Sequence, residues 1–376
     1  MVEIRKVSSK KELKKFIRFN YELYKGNKYA VPDLLEDMLD TFNPKTNPAL
    51  EFCETDAFLA YRDGKIVGRV AAIINKRANE TWGKTTVRFG WIDFIDDTEV
   101  SEKLIDTVKE WGRERGMTEI EGPLGFTDMD PEGMLIEGFD QLGTMPTIYN
   151  YPYYQQHMER LGLQKATDWI EMKVFVPNEI PDKYSRIAKI VEQRCDLHIR
   201  ELTSKKEIFK DGTVHRMFDL INDAYAPLFG YSRMTEKQID KYASTYVKLL
   251  DLDMVAVVED KDGNIIAVGI SMPSMSEAIQ KAKGKLFPFG WWHLAKALFF
   301  KKPRMLDMLL VAVRPDYQGK GVNAMLFNKL IPVYQKYGYE WAETNVILET
   351  NQKNLSQWQY LETEQHKRRR CFTQEL

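Results

Sequence analysis

Leu309-Leu310-Val311-Ala312-Val313-Arg314-Pro315-Asp316-Tyr317-Gln318-Gly319-Lys320-Gly321-Val322 decides how this chain is read. The apolar run fits a strand buried on both faces, and Arg314-Pro315 ends it. Two glycines then let backbone N–H groups converge on an anion with no Cβ in the way. Residues 323–337 follow with helical spacing and stop at Gly338, so the turn opens onto a helix N-terminus. Such a terminus favours an anionic group by about 0.3–1 kcal/mol, and Lys320 adds a formal charge. The pattern predicts a pyrophosphate site at Gln318, Gly319, Lys320, Gly321, Val322 and Asn323. Gly319-x-Gly321-x-x-Ala324 also matches a loose dinucleotide fingerprint, with Glu343 downstream. Residues 314–317 separate the strand from Gln318, however, and too little chain follows for a doubly wound sheet. A Walker loop requires Gly-Lys-Ser/Thr, whereas Gly321 follows Lys320.

Outward from the turn, one order of elements is met twice. In the second half a strand near 198–201 precedes helical patterns at 214–228 and 236–250. A hairpin at 254–259 and 265–271 turns at Asp262-Gly263. The strand at 305–313, the glycine turn and the helix at 323–337 come next, then a strand at 341–348, a helix at 354–362 and a strand at 368–373. The first half runs in parallel. It has a strand at 3–7, helices at 11–24 and 32–42, and a hairpin at 57–62 and 66–75 turned at Asp63-Gly64. A strand at 87–94, a helix at 99–115, a strand at 119–121, a helix near 153–161 and a strand at 168–175 complete it. Helices on a mixed, mostly antiparallel sheet imply an α/β fold of two similar units, 1–179 and 180–376. The first half's counterpart of the glycine turn is Ile95-Asp96-Asp97-Thr98-Glu99, where three carboxylates would repel phosphates.

Composition narrows the function. The chain has 376 residues and a formal net charge of −1, which gives no basic field for nucleic acid. Cys53, Cys195 and Cys371 are too far apart for a zinc motif or a disulfide framework, so a reducing compartment is expected and no metal. The N-terminal residues show no apolar signal-like run, and the longest apolar stretch, residues 286–300, is shorter than the roughly 20 residues of a membrane span. A cytoplasmic protein is expected.

The turn fits the Gln/Arg-x-x-Gly-x-Gly/Ala signature, and the chain resembles a tandem protein of the GNAT (N-acetyltransferase) superfamily. More narrowly, it is similar to a bacterial GNAT family to which bacterial ceramide synthases are also similar. The markers are Asn47-Pro48, Gly68-Arg69, Phe89-Gly90-Trp91, Gly122-Pro123, Gly138-Phe139-Asp140 and residues 149–154. In the second half they are Phe287-Pro288-Phe289-Gly290, Gln318-Gly319-Lys320-Gly321 and Glu343-x-x-x-x-Leu348-Glu349-x-Asn351. The resemblance implies an acyl-CoA site, for acetyl-CoA or a longer acyl-CoA, in the second unit alone. Pantetheine would pair with the backbone at Leu310, Val311, Ala312 and Val313 where two strands splay. Two positions depart from the pattern. Asn323 replaces the last Gly or Ala, and Trp358 stands where many such enzymes carry a tyrosine acid.

Transfer to an amine needs the free base, and deprotonating a lysine-like ammonium at pH 7 costs about 4.6 kcal/mol. A carboxylate in the splay can take the proton, and Asp307, Glu343 and Glu349 are the candidates. Glu343 and Glu349 share a face if their strand is continuous. The irregular stretch from Gly122 to Asp130 and the tyrosine cluster at 149–154 are expected to wall the acceptor site, with Asp128, Asn150 and Tyr153 as contacts. The segment from Lys281 to Arg304 carries Lys281, Lys283, Lys285, Lys296, Lys301, Lys302 and Arg304 and no acid. Its interleaved Phe and Trp residues suit peripheral contact with the inner face of a membrane, or a channel lined by Trp291 and Trp292 for a long-chain, sphingoid-like amine. Acetylation of a small amine, a non-catalytic acyl-CoA or lipid-binding module and a tRNA-dependent Fem-type transferase are the alternatives.

Overall fold

Asp63 (φ 52°) and Gly64 (φ 76°) both take the left-handed conformation, which a two-residue hairpin turn requires. The second hairpin solves the same problem with Gly263 (φ 78°) and with Asp260, whose Oδ1 accepts from the backbone N–H of Asp262 and Asn264 at 3.0 and 2.9 Å. Around these turns the computed structural model, which describes residues 1–300 and 302–376, builds one sheet. Its strands are β1 (Glu3–Lys6), β2 (Cys53–Arg62), β3 (Lys65–Asn75), β4 (Thr86–Phe94), β5 (Glu119–Gly122), β6 (Met134–Glu137) and β7 (Gln164–Phe175) in the first half. The second half supplies β8 (Leu197–Arg200), β9 (Val255–Asp260), β10 (Ile265–Pro273), β11 (Met305–Val313), β12 (Trp341–Thr344), β13 (Ile347–Leu348) and β14 (Thr363–Glu375).

The strand order is β1-β2-β3-β4-β5-β14-β7-β12-β11-β10-β9-β8, with β6 on β14 and β13 on β7. Among the described residues only β4–β5 and β11–β12 pair in parallel, at equivalent places in the two halves. The terminal strands are exchanged. β7 closes the first half in sequence but pairs with β12 in the second half-sheet, Trp341 opposite Phe175. β14 returns to β5, Phe372 opposite Gly122. The two then pair with each other from Thr363↔Val174 to Thr373↔Gln164. The chain between 179 and 180 lies between β7 and the helix Asp182–Cys195, yet each half-sheet is completed by the other half's last strand.

The exchange explains an unusual burial pattern. Lys367 and Arg369 of β14 are 1% exposed, because Glu171 of β7 pairs with both, at 3.3 and 2.5 Å. Breaking such a pair from one side leaves a buried unpaired charge and typically costs about 3–5 kcal/mol.

Several expected elements change. The helix expected at 354–362 is one turn, Gln352–Leu355, followed by a 3₁₀ turn, Ser356–Trp358, since β14 has begun by Thr363. The strand expected at 341–348 breaks into β12 and β13. Helices Lys76–Trp82, Lys205–Lys210 and Ser276–Ala282, and strand β6, are additional. Each is too short to show a period in sequence; local capping sets two of the helices, as where Asn75 accepts from Ala78 N and Gly83 ends the first at φ 61°, and where Ser204 accepts from Glu207 N.

Candidate functional site

β11 and β12 stay paired from Met305↔Trp341 to Met308↔Thr344 and then part. Asn345 closes the apex, its backbone N–H donating to Met308 O at 3.1 Å and its side chain to Leu309 O at 3.2 Å. Beyond it, residues 310–313 keep β10 on one side, Leu310↔Ile270 to Val313↔Ala267, and face a cavity on the other. The Tyr225 hydroxyl reaches this edge and donates to Val311 O at 3.2 Å, and burial pushes that phenol up to about 12.

The strand leads into the glycine turn. Gly319 (φ 77°) and Gly321 (φ 85°) are both left-handed, and the turn ends at the helix Asn323–Tyr337. Gln318 braces it by donating to Val313 O at 3.2 Å. The N–H groups of Gly319, Gly321, Val322 and Asn323 have no backbone acceptor among the described residues. Arg314 and Lys320 lie over the Tyr317 ring at 4.6 and 4.8 Å, and Lys353 Nζ is 3.5 Å from Gln318 Oε1. Free donors, left-handed glycines and nearby cations fit a pyrophosphate. The wall beside the turn carries a further orphan. Trp358 is buried, lines the cavity, and its indole N–H has no partner. A buried donor left unpaired costs about 1–3 kcal/mol, which a ligand acceptor would recover.

The same place in the first half is filled by the chain itself. β4 and β5 pair from Thr86↔Glu119 to Arg88↔Glu121, and then Leu124 N donates to Phe89 O at 3.0 Å. A Cβ on Gly90 would lie 2.4 Å from Leu124 O, so the segment after β5 sits directly on β4. The acidic turn that follows is tied down by Arg62, bonded to Asp97 at 2.7 Å and Glu99 at 2.8 Å.

The cavity beside β11 has a volume of about 1060 Å³ and runs between the halves. Its far wall is the first half's irregular stretch, with Asp128, Asp130 and Glu132. Burial pushes Asp128 and Asp130 up to about 6 each. Glu132 is raised well above the usual carboxylate range, first by burial and then by the charge of Asp128. Like charges gathered on one buried wall disfavour ionising all three together. Arg88 and Lys241 are the counter-charges acting on this wall, and the Arg88 guanidinium is occupied with Gly125 O and Gly230 O at 3.2 and 3.3 Å. Second-half residues pin this wall, since Ser232 N donates to Asp128 Oδ2 at 3.2 Å and Trp82 Nε1 donates to Tyr231 O at 2.9 Å.

Of the residues singled out in sequence, the structure gathers Leu310, Val311, Ala312, Val313, Gln318, Gly319, Gly321, Val322, Asn323 and Asp128 around this one cavity. It places the three carboxylates expected in the splay elsewhere. Asp307 and Glu343 lie opposite each other where β11 and β12 are still paired. Glu343 is bonded to Lys367 at 2.7 Å and His366 at 2.5 Å. Both oxygens of Asp307 are buried without partners, and burial and the charge of Glu343 push it up to about 7. Glu349 is held by Lys165 at 2.5 Å and Arg368 at 3.0 Å. Its shared face with Glu343 is lost because the strand breaks between Thr344 and Ile347.

Asn150 and Tyr153 are scaffold rather than cavity wall. The Asn150 carboxamide bonds Leu135 N at 2.7 Å and Leu135 O at 2.9 Å, and the Tyr153 hydroxyl donates to Phe94 O at 2.6 Å. Trp291 and Trp292 point outward, about half exposed. Asp130 and Glu132 join Asp128 as a set only in the fold, although the signal in sequence is three acids in alternate positions amid Met, Pro and Gly. Tyr225 likewise emerges only in the fold, since nothing in the pattern distinguishes it from a core tyrosine.

No protein-family model matches the chain. Protein YghO of Escherichia coli (strain K12) is 29% identical over 386 residues, spanning 99% of this chain and 95% of that protein. A bacterial ceramide synthase of Caulobacter vibrioides (strain NA1000 / CB15N) is 28% identical over 350 residues, spanning 92% and 90%. Among solved structures, a tandem GNAT protein from the clavulanic acid biosynthesis pathway superposes with a TM-score of 0.57 at 12% identity, covering 100% of this chain and 98% of that one. A GCN5-related N-acetyltransferase from Sphaerobacter thermophilus gives 0.53 at 12% identity, covering 100% and 95%. The fold is that of tandem GNAT proteins over the whole chain.

Proposed function

We propose that this chain is an acyl-CoA-dependent N-acyltransferase in which residues 180–376 hold the donor and residues 1–179 bind no CoA but wall the acceptor. The observation that carries this is one continuous cavity. It joins the free edge of β11 and the glycine turn to Asp128, Asp130 and Glu132. Bound acyl-CoA would supply an acyl group already activated as a thioester. The chain's residues do the rest. Gly319, Gly321, Val322 and Asn323 offer N–H groups to the phosphates, with Lys320 and Lys353 alongside, while Arg314 is paired with Asp316 at 2.7 Å. Asp128, raised toward neutrality by burial, takes the proton of the acceptor ammonium. Tyr225, held protonated by burial, is the hydroxyl at the splay from which a proton can be returned to the departing thiolate. The filled wedge and acidic turn of the first half support a single donor site.

A long-chain amine is the acceptor this cavity suits. Ligand sites usually span about 300–1,000 Å³, so this one is large for an acetyl group and a small amine. Met129, Met145, Phe218 and Ile279 line it with apolar surface. The relative named a ceramide synthase points the same way, ceramides being N-acylated long-chain amines. With a long-chain amine as acceptor, kcat/KM for hexadecanoyl-CoA should exceed that for acetyl-CoA at least tenfold. A preference for acetyl-CoA would mean that the cavity does not take a long acyl chain.

A further inference from the structure

The segment after the helix Ser276–Ala282 turns its apolar side chains outward. Phe287, Phe289, Trp291, Trp292, Phe299 and Phe300 are 49–76% exposed. They are six of the eleven large apolar side chains exposed among the described residues, gathered within fourteen positions. The helix Gly290–Ala295 runs on into a wider turn, Lys296–Phe300. Leu294, Ala297 and Leu298 face inward against the second half's core, which leaves Trp291, Trp292, Phe299 and Phe300 on the outer side. Trp292 packs on Trp291 and Phe300 with ring centroids 5.9 and 5.7 Å apart, so these three rings form one contiguous aromatic surface. A helix normally reserves its apolar face for the core, and a patch this size on a protein surface marks an interaction site.

Charge says which kind. Lys283, Lys285 and Lys296 are exposed and have no acidic partner within salt-bridge distance among the described residues, while Lys281 and Lys302 pair with Glu277 at 3.2 Å and Asp251 at 3.4 Å, and Arg304 pairs with Glu340. Lys301 lies outside the described residues. The stretch 281–304 contains no acid. Unpaired lysines bordering outward aromatic rings complement a surface that is anionic at its face and apolar just below, which is a bilayer rich in acidic phospholipid. The patch also adjoins the cavity. Leu35 N donates to Gly284 O at 2.9 Å, and Leu286 N donates to Glu36 at 3.4 Å. Pro32, Leu34 and Met38 of that neighbouring stretch line the cavity, as does Ile279.

We infer that residues 283–300 form a docking surface for an anionic lipid bilayer, seating the protein with its cavity wall beside the membrane. The surface is defined by exposure and charge, so it stands or falls independently of the acyl-transfer reading.

Co-sedimentation of the full chain with phosphatidylglycerol-containing vesicles at low salt tests it. The wild type should pellet with these vesicles and stay soluble with pure phosphatidylcholine, and tryptophan emission should shift to the blue on binding. Lys283→Glu with Lys285→Glu should weaken binding by about 30-fold or more. Phe299→Ser with Phe300→Ser should weaken it comparably while leaving far-UV dichroism and Tm unchanged. No pelleting of wild type on anionic vesicles would overturn the inference. So would binding insensitive to the aromatic substitutions, or a vesicle-free dimer that the same substitutions dissolve.

Discussion

Asp128→Asn should lower kcat/KM for the amine by about 10²–10⁴, the range a general base commands. The wild-type profile should rise with pH by tenfold per unit below about 6 and then level, because burial sets the Asp128 carboxylate there. Arg88 and Lys241 are the cations that face this acidic wall, and Asp130 and Glu132 the anions. In the asparagine variant the acid limb should disappear. Stability gives a second readout of opposite sign. Folding raises this pKa from 3.8 to about 6, so the folded state binds the proton more tightly. The cost of holding the charge is absent below 3.8 and complete above 6. Asp128→Asn should therefore be more stable than wild type at pH 8, by about 3 kcal/mol at 1.36 per unit, and match it near pH 3. A variant slower in catalysis, more stable at pH 8 and unchanged in acyl-CoA affinity is the expected combination. Loss of acyl-CoA binding instead would place Asp128 in the donor site.

Gly321→Ala should weaken acyl-CoA binding at least tenfold, and more than Gly319→Ala. Both residues are left-handed, a conformation that costs a residue with a Cβ about 1–2 kcal/mol. An alanine there relaxes in the free protein, and binding must then restore the strained turn. Position 319 has open space around it, so its loss ends with the dihedral term. Position 321 does not. Its Cβ would lie 2.8 Å from Ile187 Cγ2 and 3.5 Å from Val191 Cγ2, both on the helix Asp182–Cys195 that backs the turn. Titration calorimetry of the two variants with one acyl-CoA checks the order. Equal, wild-type affinities would mean that the turn does not hold the phosphates.

The sequence made the fold legible where local chemistry is decisive. The Asp-Gly turns placed both hairpins, and the helix after the glycine turn ran from Asn323 to Tyr337 as its spacing required. Pairing partners were not legible, because a strand's sequence gives its faces and not its neighbours. The exchange of β7 and β14 is the result. It turned Glu343 from an expected base into a buried ion-pair partner of Lys367, a residue whose run of cations reads as an exposed edge. The donor half of the site could be read because glycines and a helix N-terminus are local. The proposed acceptor half depends on a long loop meeting another unit, so Asp128 reads as a loop carboxylate while its place on one cavity wall with Asp130 and Glu132 needed the fold.

The central claim is amine-dependent acyl transfer, and one measurement meets it directly. Purified wild-type protein is incubated with hexadecanoyl-CoA and a long-chain primary amine, with free thiol followed by dye and the amide by mass spectrometry. One amide should form for each CoA released, release should need the amine, and Asp128→Asn should suppress both. Protein that binds acyl-CoA yet yields no amide with any chain from acetyl to hexadecanoyl would contradict the account and leave a binding module in its place.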